Sequence, residues 1–162
     1  MNIKGISKNL TILEEPYNDV HDPLKKEFIS KMAILELCGW IEESQDEIIN
    51  KYIERNIDPG QQKNWKGQIV GKNYSFEYDN FRGMMIRVIG ISRVIKLEAK
   101  ISAQAQQDLK TIWSNLKKSR NELAHTYLKR MTKIDSPSIT KSKVNDIHES
   151  LKLYKKYISR MK

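Results

Sequence analysis

The chain reads as an all-α protein, an up-and-down bundle of four to five helices forming one domain over residues 1–162. Three observations predict this. Apolar residues recur at three- and four-residue spacing through most of the length, the signature of helices with one packed face. The one alternating stretch, Tyr74–Tyr78, has no second strand to pair with. And 162 residues, 39% hydrophobic and 30% charged, suffice for one core and are too few for two, with no internal repeat or low-complexity tract.

The elements follow in order. Residues 1–22 read as an irregular or partly helical lead-in, broken by Pro16 and Pro23. Asp22-Pro23 is a helix start, with Asp22 as N-cap and Pro23 at the first helical position. From there to about Arg55, Ile34, Leu37, Ile41, Ile48 and Tyr52 keep helical spacing. Met32–Ile41 is apolar nearly all round and predicts a central buried helix. The single cysteine, Cys38, falls inside it, so it reads as a buried inert thiol and excludes an internal disulfide. Residues 57–79, with Asp58-Pro59-Gly60, Gly67 and Gly71, read as a long surface loop with a short ordered piece near Trp65. A helix over 79–100 follows from Phe81, Met84, Met85, Val88, Ile91 and Ile95. Another over 104–132 follows from Leu109, Trp113, Leu116, Leu123 and Tyr127. Asp135-Ser136-Pro137-Ser138 is a turn or loop. The last helix, about 142–160, carries Val144, Ile147, Leu151, Tyr154 and Ile158 on one face.

The net charge of +9 is unevenly placed. Residues 1–109 hold 15 Lys and Arg against 16 Asp and Glu, whereas residues 110–162 hold 14 against 4. All the positive excess lies in the last third, which suits a polyanionic partner, most simply nucleic acid. No stretch approaches the roughly 18–20 apolar residues of a spanning helix. The first eight residues lack the apolar core of a signal peptide. A cytoplasmic protein with no membrane partner is expected.

The run Arg120-Asn121-Glu122-Leu123-Ala124-His125-Thr126-Tyr127 carries the most chemistry. Arg120 takes a position on the packed series where leucine is expected. Burying a guanidinium costs several kcal/mol unless an acid or phosphate meets it. It can pair with an acid of the early helix, face a second subunit, or line a cleft and take a ligand anion. Among the acids, Glu36 lies inside the apolar run and is the better buried partner, whereas Glu42 and Glu43 read as solvated. Asn121 and His125 are four apart and share a helical face, so Asn121 can fix the imidazole tautomer. Arg120 and His125 are five apart, about 140° round the helix. A two-fold dimer with these helices face to face brings them into one groove more easily than one helix does.

A cation beside a titratable imidazole suits a phosphodiester. Cleaving RNA without a metal needs a base for the 2′-hydroxyl, a cation for the phosphoryl oxygens and an acid for the leaving 5′-oxygen. Histidine serves as base or acid near neutral pH, and arginine's fork matches phosphate. His21, His125 and His148 have no metal-ligand spacing, and no phosphate-binding glycine loop or serine-nucleophile motif is present. No cofactor and no metal are expected.

With Arg-Asn-x-x-Ala-His late in an all-α chain of this size, the sequence resembles the HEPN (higher eukaryotes and prokaryotes nucleotide-binding) superfamily. Arg120, Asn121 and His125 match its Arg-x4-His motif, and Tyr127 extends the match to the Arg-x4-His-x-Tyr form of toxins paired with nucleotidyltransferase antitoxins. Trp40-Ile41-Glu42-Glu43 is similar to the aromatic-then-acid pattern of the early helix in some members, which makes Glu43 a supporting residue beside Asn121, Tyr127 and Glu36. The sharp match covers eight residues, and the helical order covers about 24–160. The resemblance implies a homodimer whose paired Arg120 and His125 cut RNA at the interface. It also implies a toxin or antiviral-defence role, with an antitoxin or other defence-system protein as partner, and Tyr127 as a site of adenylylation. The alternative within the family is a non-catalytic helical module binding nucleic acid, a nucleotide or a protein.

Overall fold

The computed structural model describes residues 1–125 and 134–161, the side chains of residues 124 and 125 excepted. Among these it holds seven helices and no strand: α1 Ile3–Asp19, α2 Pro23–Asn56, α3 Pro59–Ile69, α4 Tyr78–Ile89, α5 Ile91–Glu98, α6 Ala103–His125 and α7 Pro137–Ser159. The all-α bundle expected from periodicity is the architecture observed, with more helices than the four to five expected.

The 34-residue α2 is the hub, and α1, α3, α4, α6 and α7 all pack against it. It starts where the Asp22-Pro23 signal places it. The Asp22 carboxylate accepts from the backbone N–H groups of Leu24 and Lys25, and Pro23 occupies the first turn, where no N–H is needed. Ala33, Ile34, Leu37, Cys38, Ile41, Ile48 and Ile49 are buried. Burial is not all-round: Met32, Glu36 and Gly39 face solvent.

An aromatic cluster joins α4, α6 and α7. Phe81 meets Trp113 and Tyr154 edge-on, at ring-centre distances of 6.0 and 5.5 Å, in the geometry that aromatic quadrupoles favour. Its polar rim runs from the Tyr154 hydroxyl to that of Tyr78 (3.2 Å) and on to Glu98 (2.6 Å). Arg82 closes the rim, donating to both Glu98 oxygens at 2.7 and 3.1 Å. Trp113 is thereby locked, and with it the rotation of α6, which sets where Arg120 points two turns later.

The structure corrects the expected elements in several places. The lead-in is helical: α1 buries Ile6 and Leu10 and carries Pro16 near its end. Pro16 frees the carbonyl four residues back, that of Ile12, whose side chain is exposed, so water can reach that part of the helix. The 57–79 loop shrinks to residues 70–77, because Asp58-Pro59 caps α3, with Asp58 accepting from Gly60 N–H at 2.9 Å. Tyr74–Tyr78 forms no strand; Phe76 plugs the core while its carbonyl accepts from Gln45 at 2.8 Å. The 79–100 helix is two helices. Gly90, at φ 82 and ψ 151, breaks it, and the packed face shifts register, burying Val94 and Leu97 and exposing Ile91 and Ile95. Finally, α7 begins at Pro137, earlier than the turn reading allowed, with Ser136 accepting from Ile139 N–H.

Candidate functional site

The α6 series Leu109, Trp113, Leu116 and Leu123 is buried as the spacing demands. Arg120 falls within that series and sits at its rim, its side chain 32% exposed. The guanidinium donates to Glu42 Oε1 on α2 at 3.4 Å and to Asn121 Oδ1 at 3.3 Å. Both are long for charge-assisted hydrogen bonds, which run about 2.7–2.9 Å. A partly exposed guanidinium held by long contacts can exchange them for an incoming anion.

The acid that meets Arg120 is therefore Glu42. Glu36 is exposed and accepts instead from Asn9 of α1 at 2.6 Å. The physical reason is angular: Glu36 falls on the α1 side of α2, while Glu42 lies 600° further on, equivalent to −120°, on the side α6 covers. Glu43 is exposed too and lines two clefts with Trp40 and Asn2, of about 810 and 410 Å³; no described contact joins it to Arg120. Asn121 contacts Arg120. His125 closes the described part of α6, its side chain lies outside the description, and Tyr127 lies outside the described residues.

Below the pair lies Cys38, buried, with Sγ 4.0 Å from the Leu116 carbonyl. Burial pushes its thiol up to about 12, with Arg120 and Lys143 pulling down and Glu42 pushing up. The buried thiol expected from the sequence is observed, and its neighbours place a third charge, Lys143, near the pair. Lys143 itself holds Asp135 at 2.6 Å.

One feature was missed by sequence reasoning. Lys117, one turn before Arg120, is ion-paired with Glu77 of the 70–77 loop. The same loop is pinned to α2 by Asn73 donating to Asp46 at 3.3 Å and by Gln45 donating to Phe76. Gln45 and Asp46 stand one turn beyond Glu42. The loop is thus anchored about one helical turn, roughly 5.4 Å along each axis, from both members of the Arg120–Glu42 pair. The paired Lys117 and Glu77 are 40 residues apart in sequence, so no local pattern announces them.

Among the described residues no group of three or more His, Cys, Asp or Glu side chains is placed to hold a metal ion. No helix among them is long and apolar enough to cross a membrane. Comparison with protein-family models, with curated proteins and with solved structures finds no match for the chain.

Proposed function

We propose that this chain is a metal-independent endoribonuclease of HEPN type, acting as a homodimer in a toxin or antiviral-defence system. The observation that carries the reading is Arg120: a loosely held, partly exposed guanidinium on an otherwise buried series, five residues before His125. Arg120 holds the scissile phosphate and stabilises the charge that builds on its oxygens. His125 transfers the protons, taking one from the 2′-hydroxyl or giving one to the leaving 5′-oxygen. Two copies of α6, face to face, supply both roles in one groove. The product carries a 2′,3′-cyclic phosphate, and the basic last third of the chain supplies the field that draws RNA in.

The test is RNA cleavage in EDTA by wild type, Arg120→Ala and His125→Ala. Loss of cutting in both variants is expected, with growth arrest on expression relieved by His125→Ala. Equal cutting by all three proteins, or none by any, overturns the catalytic roles.

A second reading is a non-catalytic helical module binding nucleic acid, a nucleotide or a protein partner. The Arg120–Glu42 contact favours it, because an ion pair accounts for an arginine on the series without any ligand. Binding that survives both substitutions, with no cleavage, supports this module.

A further inference from the structure

We infer that the α3–α4 face is a binding track for single-stranded nucleic acid, with Trp65 and Tyr74 as stacking platforms and Lys72 and Arg87 as phosphate contacts. Two clefts, of about 200 and 90 Å³, adjoin there and share Ile69 and Arg87 as walls. Tyr74 lines the first and Trp65 the second. Both rings are open to solvent, 79% and 38% exposed, whereas Trp40 and Trp113 are 8% and 0% exposed. Tyr74 stands almost wholly in solvent, and Trp65, packed on one side against the second cleft, keeps over a third of its surface open; both offer flat π-faces to unpaired bases.

The charges fit the same ligand. Lys72 and Arg87 line the Tyr74 cleft, and neither is in an ion pair among the described residues. The cleft's exposed carboxylate is Asp79, so cations outnumber it two to one. Two other basic groups of α3 and α4 are already engaged, Lys66 by Glu54 and Arg82 by Glu98. Stacking surface plus free cations recognises a backbone with splayed bases, which a duplex does not present.

The track also leads somewhere. Tyr74 rides on the 70–77 loop, which is fastened within a helical turn of Arg120 and Glu42 through Lys117–Glu77 and Asn73–Asp46. Under the ribonuclease reading, a strand stacked on Trp65 and Tyr74 runs on toward Arg120. The inference takes the direction of the strand from the ribonuclease reading, while its binding rests on the α3–α4 residues alone.

The probe is a twelve-residue oligothymidylate, which stacks like RNA but has no 2′-hydroxyl to be cut. Trp65 is the exposed tryptophan, so its fluorescence reports base stacking, and Trp65→Phe supplies the blank. Quenching on titration is expected, with affinity falling about 5- to 150-fold in Tyr74→Ala, the range for one lost stacking partner. Arg87→Gln lowers the slope of log affinity against log salt by about 0.7, one phosphate's share for a single strand. Tyr74→Ser and Lys72→Gln repeat the measurement should either first variant lose its helical circular dichroism. No quenching, unchanged affinity in folded Tyr74 and Arg87 variants, or equal affinity for a duplex of the same length overturns the inference. A quenching track without RNA cleavage refutes the catalytic reading alone, and cleavage without quenching refutes the track alone.

Discussion

Glu42 Oε1 and the Arg120 guanidinium face each other at 3.4 Å across α2 and α6, each side chain about one-third exposed. An ion pair this open contributes no more than about 1 kcal/mol to the fold, because water screens it. Under the proposed RNA reading its larger effect is on the ligand: the Glu42 charge competes with phosphate for Arg120 and repels the RNA backbone. Glu42→Gln is therefore expected to change unfolding free energy by less than about 1 kcal/mol and to raise RNA affinity. Urea denaturation and fluorescence anisotropy in EDTA measure the two effects separately. A weakened RNA affinity would show that Glu42 positions Arg120 instead of competing for it.

Cys38 underlies that pair and provides a probe of α2–α6 packing. With its thiol pushed up to about 12, mainly by burial, only about one molecule in 10⁴ carries a thiolate at pH 8. Ellman's reagent is expected to leave the native protein unlabelled over minutes and to label it fully in 6 M guanidinium (roughly the range that unfolds even very stable domains). Fast labelling of native protein would mean that α6 does not cover α2 at Leu116.

Glu98 sets the acid limit of the α4–α5–α7 corner. Burial opposes its ionisation, but the hydrogen bonds from Arg82 and Tyr78 outweigh burial and hold its carboxyl below the ordinary 4.5. A carboxylate lowered in the folded state stabilises the fold above its unfolded pKa and loses that contribution as pH falls through the folded one. Glu98→Gln is thus expected to cost about 1.5–3 kcal/mol at pH 7, the range for hydrogen bonds to a charged group. The gap to wild type should close as pH drops below 4.5. Thermal melts from pH 7 to pH 3 follow it; a gap independent of pH would mean that the charge contributes nothing.

Gly90 holds a backbone conformation that side chains rarely adopt, at φ 82 and ψ 151, although a Cβ there would meet no neighbour within 4 Å. The cost of substitution is backbone strain without a clash. Gly90→Ala is expected to destabilise the protein by about 1–3 kcal/mol. An unchanged urea midpoint would contradict the break between α4 and α5.

How legible the fold was depends on the residue. The buried series of α6 and α7 were readable because three–four spacing reports a packed face directly. Asp22-Pro23 was readable as a cap followed by proline. The same device at Asp58-Pro59 and Ser136-Pro137 went unread, because glycines or serines around it looked like turns. The Gly90 break was hidden because apolar residues continue through it at nearly helical intervals; only the reversed exposure of Ile91 and Val94 reveals the new register. At the site, Arg120's placement on the packed series was legible. Its partner was not: choosing Glu42 over Glu36 requires knowing that α1 covers one side of α2 and α6 the other, a tertiary fact with no local signal. The Lys117–Glu77 tie was invisible for the same reason.

In the proposed reaction Arg120 and His125 cut RNA through the 2′-hydroxyl without a metal. The most direct measurement uses an RNA that wild type cuts in EDTA, resynthesised with one 2′-deoxy residue on the 5′ side of the mapped cleavage site. Cutting of the all-ribose strand is expected to leave a 2′,3′-cyclic phosphate, with no cutting at the deoxy position. Arg120→Ala and His125→Ala should cut neither strand. Cleavage at the deoxy position, or undiminished cleavage by either variant, would contradict it.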